Sequence, residues 1–346
     1  MLGTALKALA SEFPRSTYRL ITKVGRYGPA SSDFDYSPAA LRASVRRSLR
    51  RLHTEYLDVV YLHDVEFVAP CFAPRAEGNH TAALGAEAAA YGLAPPRESS
   101  STDGVPRTPG SDERVLEAID ALRTLQAEGL IRHVGICGPS LCLHTPTPHP
   151  THSLTDWLKK THTSLAYTGL PLPALLRTAQ QVLARTGRPL DAVQTYAHLT
   201  LQNGTLPAFE RALRTRARVA QVLAASPLGS GLLAPPAPPE WHAAPRAVQD
   251  AAREAVRVVG AGEMAGIAVA WSVRAAQAGD GGGKEGRMPV VVGMSNPREV
   301  HAAMEAWRWA RDEGRQAELE RKAALAQAVF ERTGTAGWTW SDGNWV

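Results

Sequence analysis

Short apolar runs alternate with helical patterns along this chain, and that alternation constrains its fold more than any other feature. "RLITK" (19–23), "DVVYLH" (58–63), "HVGIC" (133–137), "AVQTYA" (192–197), "VAQVLAA" (219–225) and "PVVV" (289–292) read as strands. Residues 1–12 suggest a short helix. Between and after the strands the pattern predicts helices over Pro38–Leu52, Asp112–Glu128, Leu172–Thr186, Leu206–Thr215, Ala244–Gly260, Gly262–Ala278 and Asn296–Arg311, with a last one ending near Glu331. Ser37-Pro38 supplies an N-cap with proline at the first helical position, and Gly129 and Gly187 close two of the others. Strand and helix alternate about seven times, which indicates a parallel α/β architecture. Eight such units would close a (β/α)8 barrel, whose chemistry sits at the C-terminal ends of its strands. Two strands end there in titratable groups, Lys23 and His63.

Composition removes several function classes. The net charge is +5, and the densest basic run, "RASVRRSLRRL" (42–52), also carries Val45, Leu49 and Leu52 at helical spacing, with Leu41 just before it. Its arginines read as the solvated face of an amphipathic helix rather than a phosphate-binding patch, so no nucleic-acid partner is expected. No apolar run approaches the ~20 residues of a membrane span, and no secretory signal pattern opens the chain. Three cysteines make no disulfide framework, which suits a reducing compartment and a cytoplasmic location. Residues 72–111, rich in Ala, Pro, Ser and Gly, and residues 139–169, rich in Thr, His, Pro and Ser, interrupt the pattern. With few large apolar groups they are expected to be a disordered insertion and a low-complexity one. Residues 1–331 are then one barrel domain, and 332–346 a tryptophan-rich tail.

Four segments taken in order, "LITKVGRYG", "FDYSPAALRASVRRSLRRLHTEYLDVVYLHDVEFV", "AASPLGSGLL" and "VVVGMSNPREV", resemble the aldo-keto reductases, and within them the D-arabinose 1-dehydrogenase and L-galactose dehydrogenase branch. The similarity runs from residue 2 to about 310, interrupted by the two insertions. It implies a nicotinamide-dependent oxidoreductase with an Asp, Tyr, Lys and His tetrad, in which Lys23 is the lysine and His63 the histidine. The residue types make chemical sense. A phenol has a reference pKa of about 10, and a neighbouring ammonium lowers it toward neutrality.

The resemblance also implies the cofactor contacts. Gln194 matches a glutamine that holds the nicotinamide amide. Cys137-Gly138 stands where the family has serine followed by Asn or Gly, so Cys137 is a departure. Ser226, Leu228, Gly229 and Ser230 match the loop that wraps the pyrophosphate. Gly293, Met294 and Ser295 match the second phosphate and ribose segment. Glu299 stands where phosphate-preferring members carry arginine, which favours NAD with NADP as the alternative. Glu299 equally fits the role of a helix N-terminal acid. The expected partner is a small sugar or carbonyl compound, with neither metal nor membrane.

Other patterns in the sequence carry less. Cys137, Cys142, His144, His149 and His152 match no compact zinc spacing. "GDGGGKEGR" (279–287) lacks the Ser or Thr and the following helix of a phosphate loop. "GWTWSDGNW" (337–345) fits either a lid that turns Trp338 and Trp340 to a sugar or a loose tail.

Three activities remain open: oxidation of an aldose such as D-arabinose or L-galactose at C1 to the lactone, carbonyl reduction of broad specificity, and nucleotide binding without turnover. The last gains weight because no tetrad Asp or Tyr is found. In the family the tetrad lysine sits on the second barrel strand, and a Leu-Gly-x-Ala-Leu segment follows the tyrosine. Here "LGTAL" begins at Leu2. The barrel is therefore expected to be incomplete, with its first β/α unit largely missing and this chain catalytically incompetent. Tyr27 and Tyr61 are no obvious substitutes. Residues 139–169 also read as a retained intron, since without them "GICG" runs directly into "LPLPALLRTA".

Overall fold

The computed structural model describes residues 2–28, 31–68, 72, 74–75, 77–93, 111–138, 172–234, 238–239, 242–278 and 287–340. Its centre is a six-stranded, all-parallel sheet. The strands are β1 (Ile21–Val24), β2 (Leu57–His63), β4 (Ile131–Cys137), β5 (Ala192–Tyr196), β6 (Gln221–Ala225) and β7 (Val290–Val291), and they pair in chain order. β3 (Glu77–Gly78) pairs instead with β8 (Thr339–Trp340), antiparallel. Helices α2 (Pro38–Leu52), α3 (Ser111–Ala127), α4 (Leu172–Thr186) and α5 (Leu206–Ala217) connect successive strands, after a short α1 (Leu2–Ala8). Between β6 and β7 come α6 (Arg246–Val259) and α7 (Met264–Ala275), and after β7 come α8 (Pro297–Arg311) and α9 (Gln316–Arg332).

This is an incomplete (β/α)8 barrel. The six strands read from the sequence are the six that pair in the sheet among the described residues. The helix pair α6–α7 has no strand between its members, as the sequence pattern also implied. β1 and β7 each pair on one side only, so inward side chains at this seam meet solvent. Ile21 is 43% exposed and Val291 38%.

Both halves of the core follow the apolar periods. One cluster packs Leu41, Val45 and Leu49 of α2 and Ile119, Leu122 and Leu125 of α3 against the strands, and a second joins α6, α7 and α9. α1 enters through Gly3, where a Cβ would stand 1.7 Å from the Arg51 carbonyl oxygen of α2. Tyr61, Cys137, Ala192 and Leu223 form a third, smaller cluster, with Val59 against it. Tyr61 pairs in register with Gly135, and a Cβ on Gly135 would lie 2.8 Å from the ring and 2.3 Å from the Ala192 carbonyl oxygen.

The expectation of a structureless insertion over 72–111 does not hold for residues 77–93. Two 3₁₀ turns there, Thr81–Leu84 and Ala88–Tyr91, bury Ala83, Ala88, Tyr91 and Leu93 in the main core. A low overall apolar content hid a few well-placed side chains. Residues 94–110, and the whole expected insertion at 139–169, lie outside the described residues.

The segment 77–93 also receives the end of the chain. β8 pairs with β3, Gln202 Nε2 donates to the Thr335 and Trp338 carbonyls, and Asn203 Nδ2 donates to the Trp338 carbonyl. Residues 338–340 are thus tied down rather than loose, while 341–346 lie outside the described residues. His80 Nδ1 contacts the Tyr91 hydroxyl at 2.7 Å. His80, His198 and Thr339 line a small internal cavity beneath β8. Burial lowers the pKa of His80 to about 4 and that of His198 to about 3.

Candidate active site

Strand register builds the site. In a parallel sheet alternate side chains share a face, and His63, Cys137, Gln194 and Leu223 stand in one row across four neighbouring strands. Lys23 pairs with Tyr61, one step lower. Lys23, His63 and Gln194 open onto one cleft of about 920 Å³ at the C-terminal ends of the strands. Ser226, Leu228 and Ser230 from the loop after β6 form another wall, and Gly293, Met294, Ser295 and Glu299 the last. Cys137, Gly138 and Gly229 are buried and do not line it.

Two walls are loops whose backbone amides are bonded within the protein. After β6 the chain adopts positive φ at Ser226, Gly229 and Ser230 (62°, 58° and 61°), with the Ser230 N–H donating to Ser226 Oγ at 3.1 Å. The Ser226, Gly229 and Gly231 N–H groups donate to the Val291, Ser226 and Leu228 carbonyl oxygens, so the turn is closed on itself. The Tyr196 hydroxyl meets Ser230 Oγ at 2.6 Å, and His242 Nε2 lies 3.0 Å from the Gly229 carbonyl oxygen. The other wall precedes α8. Asn296 caps that helix, accepting from the Glu299 N–H at 3.1 Å. Glu299 Oε2 in turn accepts from the Ser295 N–H at 2.6 Å and the Ser295 hydroxyl at 3.0 Å. These bonds, the backbone one foremost, hold its carboxyl below the usual range. The role of helix-terminal acid considered for Glu299 is thus filled, at the rim of the cleft.

Below the cleft lies a buried polar cluster. Arg26 forms an ion pair with Asp64, whose Oδ1 is 3.2 Å from His63 Nε2. The Tyr36 hydroxyl donates to the His63 carbonyl oxygen at 2.5 Å. Cys137 Sγ donates to the Leu62 carbonyl oxygen at 3.8 Å. Burial pushes the Cys137 thiol up, and the Lys23 ammonium opposes this. Burial and the neighbouring Asp64 charge also raise Glu66, both of whose carboxyl oxygens are buried without a hydrogen bond. The two phenols nearest the row are raised as well, Tyr61 by burial and then Cys137, Tyr36 by burial and then Asp64. Tyr27 turns to the Ala40 carbonyl oxygen at 3.4 Å.

His63, Asp64 and Cys137 offer ligand atoms within 4.8 Å of one another. Arg26 already engages Asp64, and Lys23 adds a second positive charge beside Cys137, a poor setting for a cation. Cys142, His144, His149 and His152 lie outside the described residues, as do residues 279–286.

Sequence reasoning missed Arg26, Asp64, Glu66 and Tyr196. Asp64 follows the last strand residue, where simple alternation would turn it from His63. Its left-handed backbone (φ 56°, ψ 51°) brings it back, and a buried non-glycine residue at positive φ leaves little trace in sequence.

Residues 1–145 match the family model described as "Aldo/keto reductase family". That segment is similar to the aldo/keto reductases. The chain is 29% identical over 316 residues to "D-arabinose 1-dehydrogenase" of Saccharomyces cerevisiae, covering 91% of this chain and 70% of that protein. It is 29% identical over 257 residues to "L-galactose dehydrogenase" of Arabidopsis thaliana, covering 74% of this chain and 54% of that protein. Among solved structures it is similar to the aldo-keto reductase AKR11C1 from Bacillus halodurans in holo form (TM-score 0.48, 17% identity, 94% of this chain and 76% of that one). It is also similar to the glycerol dehydrogenase AKR11B4 from Gluconobacter oxydans (TM-score 0.49, 17% identity, 93% and 76%). Aldo/keto reductases are oxidoreductases that use a nicotinamide cofactor. No single described helix is long and apolar enough to cross a membrane.

Proposed function

We propose that this protein oxidises an aldose at C1 to the lactone, with NAD as hydride acceptor. The observation that carries the reading is the convergence of Lys23, His63 and Gln194 from three strands on one cleft walled by two loops. The dimensions suit a nucleotide and a small polyol together, since ligand sites span roughly 300–1,000 Å³. The Ser226–Ser230 turn fits a pyrophosphate, and Gln194 fits the carboxamide of a nicotinamide. Cys137, Gly138 and Gly229 would support these contacts from beneath. Glu299 favours NAD: its carboxylate occupies the Ser295 amide and would repel a 2′-phosphate at the segment formed by Gly293, Met294 and Ser295. When bound, the nicotinamide takes the hydride. The chain's own residues orient the sugar: His63 meets the C1 oxygen, and Lys23 holds a positive charge beside it. The names of the two relatives support a sugar over a simple carbonyl.

A second reading, nucleotide binding without turnover, is favoured by one observation. Each phenol near Lys23 and His63 among the described residues is held protonated or directed elsewhere. The deciding experiment gives the purified chain NAD with D-arabinose or L-galactose and follows NADH absorbance, beside calorimetric titration of nucleotide. Sugar-dependent NADH production supports the oxidase direction. NADPH-linked reduction of simple aldehydes alone favours the broad carbonyl reductase. Binding without turnover establishes the second reading.

A further inference from the structure

We propose that two small internal cavities beneath the C-terminal strand are binding sites for water, and that the bound molecules hydrogen-bond β8 to His80 and His198. The inference is independent of the activity proposed above. It concerns the joint where the end of the chain crosses residues 77–93.

His80, His198 and Thr339 line the lower cavity, over the apolar side chains of Leu172 and Phe209. It leaves about 10 Å³ for the centre of a water molecule, which is room for one. The upper cavity leaves about 20 Å³, and His198, Thr339 and Trp340 line it. His198 and Thr339 thus belong to both. Tyr196 and Ser230, whose hydroxyls meet at 2.6 Å, line the upper cavity and also the large cleft. The upper cavity therefore backs onto the loop after β6. Five buried polar atoms of the lining residues have no hydrogen-bond partner: His80 Nε2, both ring nitrogens of His198, Thr339 Oγ1 and Trp340 Nε1. Their residues are only 3–9% exposed. The Tyr196 carbonyl approaches the His198 ring without completing a hydrogen bond to either nitrogen. Buried polar atoms are almost always satisfied, by protein or by ordered water, because an unpaired one keeps its full desolvation penalty. Five of them around two adjoining cavities call for a shared ligand.

The lining decides the chemistry of that ligand. No described residue around either cavity carries a carboxylate, an ammonium or a guanidinium. The imidazoles are themselves neutral near pH 7, because burial lowers His80 to about 4 and His198 to about 3. A metal cation would meet no compensating charge, and an anion no cation. An apolar guest would leave all five atoms unpaired. Water is neutral and small enough, and it both donates and accepts. It therefore serves the Thr339 hydroxyl, the Trp340 indole N–H, which only donates, and an imidazole in either tautomer. His80 Nδ1 lies 2.7 Å from the Tyr91 hydroxyl, which leaves Nε2 for the cavity. Water there joins His80, His198 and β8 through atoms that have no other partner.

The test uses the intact chain in two ways. A high-resolution crystal structure should show ordered solvent density within about 3.2 Å of Thr339 Oγ1 and of a His198 ring nitrogen, with no anomalous signal from a metal. Urea unfolding at pH 7 then compares wild type with Thr339→Val, which keeps the β-branched shape suited to a strand and replaces the hydroxyl by a methyl group. With water bound, the variant loses a hydrogen bond, and its folding constant should fall about fivefold. In a dry cavity the same change removes an unpaired hydroxyl, and the folding constant would stay level or rise. Cavities without density, an anomalous metal peak, or a Thr339→Val chain at least as stable as wild type each overturns the proposal. Should the variant not fold, the density in the wild-type crystal decides.

Discussion

Acidification should loosen the tie between the C-terminal strand and residues 77–93. His80 and His198 sit beneath β8, with pKa values lowered from 6.5 to about 4 and about 3 by burial. Arg75 lowers the first further and Glu87 opposes it, and the two imidazoles repel once charged. Depressed histidines favour the fold while neutral. An unfolded chain takes up protons as pH falls through 6.5, whereas the folded chain does so only near 4 and 3. Stability is therefore full above about pH 7 and falls continuously from there to about pH 4. Proton linkage gives a loss of about 2 kcal/mol per histidine between pH 7 and pH 5, or roughly 4 kcal/mol for the pair. Urea unfolding of wild type at pH 7, 6 and 5, beside His80→Gln/His198→Gln, measures this directly. The double variant should lose about 4 kcal/mol less over that interval. Carboxylates titrate in both proteins and cancel in the comparison. Equal pH slopes would refute the reasoning, because they would mean that the imidazoles reach solvent in the folded chain.

Other perturbations have equally definite outcomes. Lys23→Met and His63→Ala should each abolish turnover while leaving calorimetric NADH affinity within a few-fold of wild type; normal rates in either would remove these residues from the site. Glu299→Arg should raise the ratio of NADP to NAD efficiency by freeing the Ser295 amide and reversing the charge, and a native preference for NADP would count against the argument. Asp112→Ala removes the carboxylate that bridges the Arg177 guanidinium, 1% exposed, at 2.8 Å through two nitrogens. It should cost about 3–5 kcal/mol in chemical denaturation. Tyr61→Phe removes a buried hydroxyl with no hydrogen-bond partner and should stabilise by up to about 1 kcal/mol, read as a rise in Tm.

The parallel barrel was legible because its strands are apolar runs with turn residues around them, and the limits of α4, Leu172–Thr186, follow from the sequence alone. The seam was less so. Whether β1 and β7 close on each other depends on strand count and tilt, which no local pattern carries. In the site, Lys23, His63 and Gln194 were readable as strand-end residues, and the two wall loops from their Gly and Ser content. Arg26 and Asp64 were not, since an ion pair across 38 positions and a single left-handed residue have no periodic signature. The order of residues 77–93 was missed for a related reason. Ala83, Ala88, Tyr91 and Leu93 are buried by tertiary contacts, not by any amphipathic repeat.

Tyr61 and Gly135 face each other inside the barrel with no space to spare, and this has a consequence for how the protein can diverge. Alanine at 135 would strike both the ring and the Ala192 carbonyl, and the second clash is with backbone, so no exchange at 61 relieves it. A smaller residue at 61 would leave a cavity. Among descendants of this chain position 135 should stay glycine whatever stands at 61, while position 61 is limited by the volume its ring fills.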